Sequence, residues 1–110
     1  MNRTTAYPDA EALRDIGIER AVEHADHAVD GWSDWALEAV RQYASRHPDD
    51  PFLTEDVRDW AWKRGLPKAP DDRAWGAVMQ RARRAGYIGN VGYRSARSSN
   101  LSPKILWTST

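Results

Sequence analysis

The residues of this chain best placed to do chemistry are arginines. In DDRAWGAVMQRARRAGYI, residues 71–88, Arg73, Arg81, Arg83 and Arg84 recur with Gln80 along a stretch whose other positions are mostly apolar. At the ideal helical 100° per residue, Ala74, Trp75, Val78, Met79, Ala82 and Ala85 fall within about 140° of arc. Arg73, Gly76, Ala77, Gln80, Arg83 and Arg84 take the opposite side, and Arg81 lies on the flank. Guanidinium groups bind phosphate and carboxylate through paired, charge-assisted hydrogen bonds. Arginine and glutamine also reach guanine and adenine edges in the major groove. Small residues at 76 and 77 allow a backbone or groove to come close. An anion would find the helix N-terminus attractive, although Asp71 and Asp72 partly offset that.

A solvated basic face has the same pattern, so the surroundings decide. Directly downstream, YIGNVGYRSA and KILW read as two extended runs around a polar loop, RSSNLSP, which together suggest a hairpin. That hairpin adds Arg94, Arg97 and Lys104, with Ser98, Ser99 and Asn100 as neutral phosphate donors. Clustered arginine and lysine supply the salt-sensitive, sequence-independent part of nucleic-acid binding.

Other constellations are weaker. His24 and His27 share a helix face with Glu23 in a metal-ligand spacing, but a solvated acidic helix accounts for them equally. Asp49 and Asp50, or Glu55, Asp56 and Asp59, have no placed histidine or lysine to make them a general acid and base, and capping explains them better. The chain has no cysteine, so disulfides, thiolate metal sites and cysteine nucleophiles are excluded. These residues assign no catalytic group, no metal and no cofactor.

The elements that hold the arginines follow from periodicity. Residues 1–8 read as a flexible leader ending at Pro8. Helical signals begin at Asp9 and are interrupted by Gly17. Ile18, Val22, Ala25 and Val29 then form a narrow apolar stripe on an acidic helix that ends at Gly31. This helix either packs on the body or pairs with a second copy. Ser33 caps a second helix, with Ala36, Ala39, Val40, Tyr43 and Ala44 inward until Pro48 stops it. Phe52 and Leu53 are extended, and Thr54 caps a third helix with core residues Val57, Trp60 and Ala61, closed by Gly65. Asp71 or Asp72 caps the fourth, closed by Gly86. Trp35, Trp60, Trp75 and Trp107 fit core stripes, Trp62 lies off the core face, and Trp32 is placed to staple the N-terminal segment to the body.

At 110 residues, with 41% apolar and 29% charged side chains, the chain has the size and composition of one small globular domain. It has no apolar run long enough to span a membrane and no secretion-type leader, so the cytoplasm is the default location. The formal net charge of +0 hides a split. Residues 1–70 hold nine Lys and Arg against 14 Asp and Glu, whereas residues 71–110 hold seven against two. Such asymmetry is a hint of an anion-binding face.

From Trp32 the order is helix, short strand, helix, helix, strand, basic loop, strand, which is that of a winged helix-turn-helix: mainly α with a small β-hairpin (α+β). The expected organisation is a leader over 1–8, an acidic helical extension over 9–31 and a winged-helix domain over 32–110. The segments GIERAVEHAD, FLTEDVRDWA, RGLP, DRAWGAVMQRARRAGYI and ILW resemble a group of small phage and prophage proteins. The resemblance covers most of the chain and implies a winged-helix-like fold near phage DNA replication, recombination or regulation. The shorter, Ser-rich loop between the last two strands departs from that pattern. The expectation is therefore a non-catalytic protein that contacts double-stranded DNA through Arg73, Gln80, Arg81, Arg83 and Arg84 of a recognition helix. From the wing, Arg94, Arg97, Ser98, Asn100 and Lys104 hold the backbone. The competing expectation is a protein-interaction adaptor or an accessory subunit of a phage DNA-processing complex, with partner binding or self-association through the N-terminal helix.

Overall fold

The computed structural model describes residues 10–96 and 102–110, with side chains from Gly17 onward. Four helices, α1 (Ala10–Ala28), α2 (Trp32–Arg46), α3 (Thr54–Lys63) and α4 (Ala74–Arg84), precede a hairpin of β1 (Ile88–Ser95) and β2 (Pro103–Ser109). The coarse expectation of a mixed α+β chain with one antiparallel hairpin is met. Phe52 and Trp107 form an isolated bridge, exchanging both backbone hydrogen bonds at 2.9 and 2.8 Å. The expected first strand is therefore one bridged residue, attached to the strand that carries Trp107.

The core is organised around Trp32 and Trp75, both buried, with ring centroids 5.5 Å apart in an edge-to-face arrangement. Such pairs contribute beyond their buried area because the ring edge is positive and the face negative. Trp32 donates its indole N–H to the carbonyl of Pro67 at 2.8 Å, which ties α2 to the segment ahead of α4. Ala36, Val40 and Ala44 continue the buried stripe of α2, while Val78 and Ala82 continue that of α4.

Four local expectations need correction. Gly17 does not interrupt α1, which runs unbroken through it. Glycine costs a helix interior only about 1 kcal/mol, and α1 recovers that by burying Ala21, Val22 and Ala25 on the body. Packing on the body is thus the observed placement of the stripe. Ser33 does not cap α2 with its own side chain. It lies in the first turn, where its N–H and hydroxyl donate to the Asp26 carboxylate at 2.7 and 2.8 Å. Asp26, one of the acids of α1, is a cap supplied by another helix. Thr54 is likewise inside its helix. The extended residue before α3 is Leu53, whose N–H is accepted by the Asp56 carboxylate at 2.9 Å, and Thr54 Oγ1 instead accepts the Trp107 indole N–H at 3.2 Å. Trp35 stands 55% exposed on α2 and is no part of the core.

Asp26→Ala removes the acceptor for two donors of the buried Ser33 at a helix start. It is expected to lower stability by about 1–2 kcal/mol, seen as a fall of roughly 5–10 °C in the thermal midpoint. An unchanged midpoint would show that water replaces the carboxylate at no cost.

The closing signals behave as expected. Gly65 (φ 98°) and Gly86 (φ 84°) each sit one residue past a C-cap in the left-handed region. After α4, Gly86 N–H donates to the Arg83 carbonyl and Tyr87 N–H to the Ala82 carbonyl, both at 3.0 Å. This is the Schellman pattern that satisfies the last carbonyls and reverses the chain. That reversal sets the hairpin beside the C-terminal end of α4. No helix among the described residues is long and apolar enough to cross a membrane.

Candidate functional site

The face of α4 opens onto a groove of about 920 Å³, bounded by the first turn of α3, by the hairpin and by Ile18 and Glu19 of α1. Ala77, Met79, Ala96 and Trp107, all nearly fully buried, contribute apolar floor. Arg73, Gln80, Arg83 and Arg84 of the α4 segment line it, and Lys104 joins them from β2. Helix and hairpin thus bring five of the expected residues to one concave surface.

The remaining expected residues fall elsewhere. Arg81 leans toward α1, with Nη2 4.0 Å from a Glu19 carboxylate oxygen, and does not line the groove. Arg94 is exposed on β1 directly opposite Lys104 in the antiparallel register. Arg97, Ser98 and Asn100 lie outside the described residues.

Arg73 sits at the mouth already engaged. Asp71 accepts from its Nε at 2.9 Å and its Nη2 at 2.6 Å, and the second Asp71 oxygen accepts the Arg73 backbone N–H at 2.9 Å. These bonds lower the Asp71 pKa and raise that of Arg73. Asp71 is therefore a clamp on the turn before α4, whose N-cap residue is Arg73 itself. A Cβ at position 17 would come within 2.9 Å of Arg73 Nη1, so Gly17 leaves room for this guanidinium against α1.

Two positions depart from the helical wheel. Ala77, assigned to the outward side, is buried, while Ala85, assigned inward, is exposed just beyond the helix end. The cause is that α4 packs against both α1 and α2. Gly76 faces Ile18, whose Cδ1 would lie 3.3 Å from any Cβ there. The close approach foreseen at 76 is thus used by the chain's own helix.

Among the described residues, Arg83, Arg84, Arg94 and Lys104 have no acid within ion-pair distance. Like charges directly opposite on a hairpin are mildly destabilising, so the Arg94–Lys104 pair is a place where an anion relieves repulsion. Acids line the groove too: Glu19 on α1, Glu55 on α3 and Asp72 ahead of α4. The cationic part is accordingly the C-terminal half of α4 with the hairpin.

Two groove residues were not singled out from the sequence. Arg58 of α3 lies 3.4 Å from Asp72 and 4.8 Å from the Trp62 ring centre. Its spacing of four from Trp62 was the available signal. Tyr93 is 70% exposed on β1, a ring turned to solvent in the period-two stretch. Comparison with protein-family models, with characterised proteins and with solved structures finds no match.

Proposed function

We propose that this chain is a non-catalytic winged-helix protein that binds double-stranded DNA. One observation carries the reading: Arg83 and Arg84 of α4 and Lys104 of the hairpin converge on one groove without acid partners among the described residues. Phosphates are held by such unneutralised cations, and Gln80 beside them is suited to a base edge. The winged-helix assignment is supported by the order α2, bridge, α3, α4, β1, β2, with Phe52 joining the hairpin through Trp107. In this reading α4 is the recognition helix. Its C-terminal half makes the contact, because α1 occupies the side near Gly76. A setting in phage or prophage DNA replication, recombination or regulation follows from the resemblance described above.

A salt titration on a short duplex tests this. Binding is expected to weaken steeply between about 50 and 200 mM salt, as counterions displaced by arginine and lysine compete back. Absence of binding at the low-salt end would sink the proposal. It would favour the adaptor reading, for which the apolar floor and the acidic residues Glu19 and Asp72 are the supporting features.

A further inference from the structure

A second surface lies away from the groove, between α2 and α3. The stripe Trp32, Ala36, Val40 and Ala44 of α2 is buried, but Trp35, Ala39 and Gln42 belong to another face of the same helix. That face and Trp60, Ala61 and Arg64 of α3 enclose a cleft of about 240 Å³. Such a volume holds one large apolar side chain. Trp35 forms a wall of it while 55% exposed, so a large ring is presented to solvent at the cleft. Tryptophan and arginine are also the residues that most often dominate protein contacts.

Basic side chains flank the Trp60 side of the cleft. The Arg64 guanidinium lies 4.4 Å from the Trp60 ring centre, and that of Arg46 lies 5.7 Å from the same centre. Neither has an acid within ion-pair distance among the described residues. Two cations are thus fixed beside one ring at this end. Glu38 also lines the cleft, but it is bound to Arg41, and hydrogen bonds from Arg41 and Gln42 hold its carboxyl down to about 2.

We propose that the α2–α3 cleft docks a segment of a partner protein in which one bulky apolar side chain is flanked by acidic residues. The apolar side chain fills the space between Trp35 and Trp60, and the carboxylates meet Arg64 and Arg46. This surface is separate from the DNA groove and does not depend on the DNA reading.

The test uses the full chain and two dye-labelled synthetic peptides, one with a single Phe among Asp and Glu residues, the other with Lys in place of the acids. Fluorescence anisotropy is expected to show saturable binding of the acidic peptide only. Trp35→Ala and Arg64→Glu should each weaken it at least tenfold, whereas Arg83→Ala should leave it unchanged. Circular dichroism of the Trp35→Ala and Arg64→Glu proteins verifies that they fold, and Arg46→Glu supplies a second charge variant. Equal binding of both peptides, or acidic-peptide binding indifferent to Trp35 and Arg64, overturns the proposal. A dimer that dissociates in Trp35→Ala during sedimentation overturns it too, because a second copy then covers the cleft. Duplex DNA displacing the acidic peptide from the Arg83→Ala protein would overturn it in favour of a second phosphate site.

Discussion

Trp75→Ala is expected to remove a large share of the chain's folding stability. The ring is 1% exposed, lies edge-to-face with Trp32, and sits where α4 meets α2. Truncating a buried tryptophan costs about 3–5 kcal/mol, whereas a small domain has about 5–15 kcal/mol in total. Trp75→Phe should cost far less, roughly 1–2 kcal/mol, for two reasons. It keeps an aromatic ring in the space, and it removes an indole N–H that finds no acceptor among the described residues. Urea denaturation followed by circular dichroism measures both. A cost for Trp75→Ala below about 1.5 kcal/mol would mean that the Trp32–Trp75 contact is not the centre of the core.

The other large effect concerns the groove. If the proposed DNA contact is right, Arg83→Ala with Arg84→Ala should lower the slope of log affinity against log salt by about two, one for each lost phosphate contact. Affinity at physiological salt should fall by roughly tenfold or more per arginine. Both side chains are exposed, so stability should stay within about 0.5 kcal/mol of the parent. Arg20→Ala, on the exposed side of α1, serves as the control and should leave the slope unchanged. Equal loss for the control and the double variant would show that only overall charge is being read. Unaltered binding in the double variant would remove α4 from the interface.

The elements of this fold were legible because their signals are local. Apolar periodicity marks the helices, and Gly65 and Gly86 mark two of their ends in φ as well as in sequence. What escaped depends on two elements at once. Asp26 looks like any acid on a wet helix, because its function as a cap requires α2 to start beside it. Ala77 looks outward on a wheel drawn for one neighbour, but α4 packs against both α1 and α2. Trp35 looks inward because its type and spacing suit a core, whereas the buried stripe of α2 runs through Trp32 and Ala36. For the site, the convergence of α4 with the hairpin follows from element order. The lean of Arg81 toward Glu19 required the packed helices, whereas the Asp71–Arg73 pair is a turn contact two residues apart that apolar periodicity does not register.

The position of α1 against α4 also bears on how the molecule meets a charged partner from a distance. Along the chain the acids are concentrated in residues 1–70, which leaves residues 71–110 with a surplus of bases. Folding lays the acidic helix against the basic one, which sets Glu19 near Arg81, while Asp71 binds Arg73 within its own turn and Asp72 reaches Arg58 of α3. With a formal net charge of +0, such interleaving makes the far field weak. Beyond a Debye length, about 8 Å at physiological salt, a polyanion meets an almost neutral particle. Attraction begins only where Arg83, Arg84, Arg94 and Lys104 come within that range. For the proposed DNA contact, capture is then expected to depend on close, correctly oriented collisions and not on long-range steering.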